Sequence, residues 1–103
     1  MIPWFLKRIV GSASELDHKC VGQVLSKRYG LKPSYRKIDR VAMAARTAFR
    51  IQARSPFDAQ KYSKTLAALR KEVINAGSSV WEASSIVFVL IAHLERSEMK
   101  AEA

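Results

Sequence analysis

Several things are scarce in this chain of 103 residues, and each scarcity excludes something. A single cysteine, Cys20, rules out an intramolecular disulfide and a four-cysteine zinc site. The longest apolar run, Ile86 to Ala92, is far below the ~18–20 residues needed to cross a membrane. The basic pair Lys7-Arg8 follows the apolar start Ile2-Pro3-Trp4-Phe5-Leu6 instead of preceding it, so the amino terminus does not read as a secretory signal. Repeats, low-complexity tracts and long linkers are missing. Together these absences predict one soluble domain, 1–103, in a reducing, cytoplasmic setting.

The residues of enzymes are also thin on the ground. On a helix His18 and Cys20 lie about 200° apart and do not face each other. Cys20 shares an inward stripe with Leu16 and Val24 and reads as a buried core thiol, which leaves His18 on the surface. His93, between Leu90 and Leu94, reads as a core or boundary histidine. Two histidines and one cysteine at these spacings suit no common metal, so neither a metal nor another cofactor is expected. Gly77-Ser78-Ser79 precedes a helix but lacks the second glycine and the Lys-Ser/Thr of a phosphate loop. Glu95 and Glu98 share a helical side near a polar tail, without the setting of a general acid and base. The expectation is a protein that is not an enzyme.

What remains is helical periodicity. Phe5, Leu6, Ile9 and Val10 give a short first helix over roughly 2–10, ended by Gly11. Ser14 caps a second, with Leu16, Cys20, Val21, Val24, Leu25 and Tyr29 inward and Gly30 as its stop. Ser34 opens the longest, 35–54, with Ile38, Val41, Ala42, Ala45, Ala48, Phe49 and Gln52 on one side. Pro56 behind Ser55 suits the first position of a fourth helix. That helix turns Tyr62, Leu66, Leu69, Val73 and Ala76 inward and stops at Gly77. Ser79-Val80-Trp81-Glu82 has the capping-box form and starts a fifth, running to about Lys100. Its middle is apolar on every side and marks the element that others pack around. The tyrosines, tryptophans and phenylalanines mostly fall on apolar faces. The fold class is therefore all-α: a bundle of four main helices plus a short N-terminal one, joined by short, roughly antiparallel connections.

Charge is the other strong signal. The chain carries 18 lysines and arginines against 9 acids, a formal +9. Residues 19–71 hold 14 basic residues and two acids, Asp39 and Asp58, for a net +12; the remainder sums to −3. Arg36, Arg40, Arg46, Arg50 and Arg54 fall within a sector of about 120° on the longest helix, opposite its apolar stripe. Like charges at i,i+4 cost about 0.2–0.5 kcal/mol per pair, and a merely soluble face would mix signs. Lys61, Lys64 and Lys71 share an outer face of the next helix, and Lys27, Arg28 and Lys32 flank the turn before the arginine helix. Guanidinium forks bind phosphate or carboxylate oxygens in a bidentate way.

These residues predict a non-enzymatic protein that contacts nucleic-acid phosphates. A protein-interaction module, a small inhibitor or adaptor docking on an acidic partner surface, is the competing reading. A third is a homo-oligomer with Trp4, Phe5 or Trp81 at a symmetric interface. Replacing Arg46, Arg50 and Arg54 should spare the core. The segment Leu25–Ile38 has a superficial helix-turn-helix look, but with Gly30 as the turn glycine the inward positions fall on Arg36 and Asp39. A longer turn through Pro33 would restore Ile38 and Val41 inward at the expense of the tight geometry.

Overall fold

The computed structural model describes residues 13–102 apart from Pro56, with side chains through 98. The predicted short helix at 2–10 lies outside the described residues. Four helices follow: α1 (Glu15–Gln23, continued by Val24–Arg28 as a wider π turn), α2 (Tyr35–Arg54), α3 (Ala59–Asn75) and α4 (Val80–Glu102). The described residues contain no strand. The all-α assignment holds.

The helix boundaries have local causes. The Ser14, Ser34 and Ser79 hydroxyls accept the backbone N–H groups of Asp17, Lys37 and Glu82 at 3.1, 3.3 and 3.2 Å. The start of α3 differs from expectation. Pro56 lies outside the described residues; Ser55 is not the cap, since the Asp58 carboxylate accepts the Lys61 N–H at 3.0 Å and the helix begins at Ala59. A carboxylate is favoured at a helix N-terminus by the free N–H groups and the dipole together, so the acid three residues on takes the cap. Gly77, at φ +114°, ends α3, with the Gly77 and Ser78 N–H groups donating to Ile74 and Val73 carbonyls. Gly30, at φ +67°, does the same for α1, with its own N–H donating to Ser26 and that of Leu31 to Leu25. Each of these two bonds spans one residue more than in the usual glycine stop, because the last turn of α1 is widened.

Val21, Val24, Leu25, Val41, Ala42, Ala45, Leu69, Val73, Ile86, Leu90 and Leu94 build one core to which all four helices contribute. Helix α2 lies against α1, α3 and α4. Between α1 and α2 the chains come close: a Cβ built on Gly22 would meet the Ile38 side chain at 3.6 Å. Small residues at these contacts leave no room for rings, and no described aromatic is fully buried. Tyr35, Phe57, Trp81 and Phe88 are exposed, against the expectation that most aromatics face inward.

Other expectations need correction. Leu16 is 61% exposed and Cys20 half-buried, because before Val21 α1 turns Asp17 and His18 toward α2 in their place. Gln52 is exposed at the overhanging end of α2. The direction turns by 119° from α3 to α4, an oblique crossing in place of an antiparallel one. Helix α4 is not surrounded by the other described helices: Phe88 is 74% exposed, since three neighbours cannot wrap every side of a fourth. The connection 29–34 is longer than the tight turn of a helix-turn-helix, and Val41 reaches the core with Ile38 half-buried against it. Among the described residues no single helix is long and apolar enough to cross a membrane.

Candidate functional site

The arginine face arises from the period of α2. Burying Val41, Ala42, Ala45 and Ala48 commits one side of the helix inward, and a turn of ~100° per residue sends residues 36, 40, 50 and 54 outward. Arg36, Arg40, Arg50 and Arg54 are all exposed, and none forms an ion pair with another described residue. From Arg36 to Arg54 they span about 27 Å of helix at 1.5 Å per residue.

Arg46 departs from this set. It lies at the edge of the sector, nearest α1 and the end of α4, and its side chain is only 18% exposed. Its Nε–H donates to Asp17 Oδ2 at 2.8 Å and its Nη2 to Asp17 Oδ1 at 2.5 Å, a two-pronged grip on a carboxylate that is 4% exposed. Nη1 donates to Glu98 Oε2 at 3.2 Å, and the guanidinium stands 5.5 Å over the Phe49 ring. The Asp17 hydrogen bond holds this guanidinium protonated above its ordinary range, outweighing the opposing effect of desolvation. Arg46 therefore clamps α1, α2 and α4 together. It is not a free cation, and replacing it would leave the buried Asp17 carboxylate without its cationic partner.

Three arginines are nonetheless gathered in one place. Arg46, Arg50 and Arg54, with Ser14, Asp17, Phe49, Ala53 and Glu98, line an open cleft of about 410 Å³. A smaller hollow of about 210 Å³ beside it is lined by Ala13, Met43, Thr47 and Arg50 among others. Met43, 40% exposed, and Thr47 occupy the centre of the arginine face. The helical angle of Met43 made that position legible in the sequence, but a lone methionine gives no reason to look for it.

The remaining predicted residues are exposed but dispersed. Lys27 and Arg28 end the π turn, Lys32 sits in the connection to α2, and Lys61, Lys64 and Lys71 point away from Leu69 and Val73 on α3. Neither of the two clefts on the arginine face includes them. Arg70, by contrast, is half-buried and donates from Nη2 to the Val80 carbonyl at 3.3 Å, tying α3 to the first turn of α4. Asp39 accepts the Ala13 N–H at 3.0 Å, so the acid within the arginine helix is used to anchor the chain entering α1.

The His18 ring stacks on Tyr35 at 3.9 Å and its Nε2 lies 3.1 Å from the Tyr35 carbonyl, so it is half-buried and fastens α1 to the start of α2. Burial, followed by the Asp17 charge, pushes the Cys20 thiol above its ordinary range, with Arg46 opposing. Cys20 and His93 line a separate cleft of about 540 Å³ with Leu16, Lys19, Gln23, Arg96 and Ser97. Among the described residues no three His, Cys, Asp or Glu side chains come together as a metal site. Comparison with known proteins finds no family model, no curated relative and no solved structure that matches the chain.

Proposed function

We propose that this is a non-enzymatic, polyanion-binding protein whose α2 face contacts the phosphates of a nucleic acid. The observation that carries the reading is the set Arg36, Arg40, Arg50 and Arg54: four exposed guanidinium groups along one helix, with no ion pair to the chain's own acids among the described residues. With Arg46 neutralised by Asp17 and Glu98, the other four form two exposed pairs, Arg36/Arg40 and Arg50/Arg54, on either side of Met43 and Thr47. Each phosphate neutralised on duplex DNA contributes about −0.9 to the slope of log affinity against log salt. Four arginines engaged together give a slope of about −3.6, steeper if the lysines of α3 join in.

The test is a titration of duplex and single-stranded probes at two salt concentrations, with wild type and with Arg50→Glu/Arg54→Glu. Binding in the micromolar range at about 50 mM salt, with the variant's slope reduced by about two, is the expected result. Absence of such binding, or a variant that binds unchanged, refutes the reading.

The competing reading, docking on an acidic protein surface, has one observation in its favour. Met43 and Tyr35 are exposed beside the arginines, and protein interfaces draw on apolar and aromatic anchors inside a charged rim. A pull-down from lysate separates the two. A partner retained after nuclease treatment supports the protein reading, and loss of all partners supports the nucleic-acid reading.

A further inference from the structure

Helix α4 is the most apolar of the described helices, yet one of its faces has no partner among the described residues. Trp81 is 92% exposed and Phe88 74% exposed. At about 100° per residue they lie within ~20° of each other, on a strip that also carries Ser84, Ser85, Ala92 and Glu95. Ser84, Ser85 and Glu95 are exposed and Ala92 half-buried. The strip is thus two large rings separated by small side chains. Charge marks it off from the rest of the surface: between 80 and 98 this helix has one base, Arg96, and three acids, Glu82, Glu95 and Glu98, in a protein of net +9.

We infer that this strip is the contact surface for a second copy of the same chain, joined as an antiparallel α4–α4 pair about a two-fold axis. The sequence along the strip is complementary to itself when reversed. An axis crossing the helix between the levels of Ile86 and Val87 places Trp81 opposite the partner copy's small residue at position 92. The same axis sets Ser85 opposite the ring at position 88. Each large side chain meets a small one, and by symmetry each contact occurs twice. Glu95 then falls opposite the start of the other α4, where free N–H groups favour an anion. No like-charged pair is brought face to face in this register.

The area is adequate for association. Aromatic side chains bury about 150–250 Å² each, so four rings remove roughly 600–1,000 Å², half or more of the ~1,200 Å² at which specific interfaces begin. The serines, Ala92 and the flanking backbone on the same strip supply the remainder. Pairing through α4 also leaves the arginines of α2 outside the contact, so two copies of a strongly basic protein meet where it is least basic.

The test is sedimentation equilibrium across about 1–100 µM with wild type, Trp81→Ala/Phe88→Ser, and a chain lacking residues 1–12, helicity being checked by circular dichroism. Both substituted residues are exposed, so the fold should persist. The expected result is a reversible dimer for wild type and for the shortened chain, and a monomer for the double variant. A monomeric wild type overturns the proposal, as does a dimer unaffected by the double change. Loss of the dimer on removing residues 1–12 also overturns it, because the apolar start of the chain would then be the contact.

The register has its own readout. In a Cys20→Ser background, Ser85→Cys would bring two Cα atoms to about 6 Å across the axis, within disulfide reach, whereas Val80→Cys would leave them about 20 Å apart along the helix. Disulfide-linked dimers under mild oxidation from Ser85→Cys but not from Val80→Cys support the antiparallel pair. The reverse pattern overturns it.

Discussion

Replacing Arg46 by alanine separates structural from binding arginines more sharply than any other single change. Both oxygens of the Asp17 carboxylate are occupied by Arg46, and Asp17 is 4% exposed. Removing the guanidinium leaves a buried carboxylate with no cationic partner, a loss worth about 3–5 kcal/mol in comparable buried pairs. Asp17 lies in the first turn of α1, where the helix dipole favours an anion, so the lower end applies, about 3 kcal/mol. In a domain of this size each kcal/mol moves Tm by ~4–8 °C, which gives a fall of about 12–24 °C. The assays are urea and thermal unfolding followed by circular dichroism, with Arg50→Ala as the control. Arg50 is exposed and without an ion pair among the described residues, and its loss should change stability by no more than about 0.5 kcal/mol. Glu98 holds only the outer nitrogen of Arg46 and is half in solvent, so Glu98→Gln should cost at most about 1 kcal/mol. An Arg46→Ala protein within 1 kcal/mol of wild type would refute the clamp. So would an Arg50→Ala protein as unstable as Arg46→Ala.

Two smaller predictions use the same equipment. Gly30→Ala places a Cβ in open space, so its whole effect is that of a left-handed backbone at φ +67°, about 1 kcal/mol; an unchanged urea midpoint would count against it. The Cys20 thiol holds its proton to higher pH in the folded chain than in the unfolded one, chiefly through burial. Alkylation of native protein should therefore reach half-maximal rate at a higher pH than alkylation in denaturant. The linked stability is fully present below the unfolded thiol's pKa and declines as pH rises through the window up to the folded value. A native midpoint at or below the denatured one would show that the thiol is not shielded.

The sequence alone determined the helices and most of their inward faces, because both follow from local causes. Apolar spacing at 3, 4 and 7 selects a face, and a hydroxyl or glycine at the right place starts or stops the turn. Ser14, Ser34, Ser79, Gly30 and Gly77 act as their local chemistry dictates. The outward direction of Arg36, Arg40, Arg50 and Arg54 was legible for the same reason. Tertiary structure decided everything that depends on which helix lies beside which. Arg46 sits on the same strip by angle, yet it is neutralised because Asp17 and Glu98, 29 and 52 residues away, fold against it. Leu16 and Phe88 carry the side chains of core residues but stay exposed, because no other described helix covers them. Periodicity states which side of a helix is apolar; only the arrangement of neighbours in space determines whether that side is covered and whether a charge keeps its field.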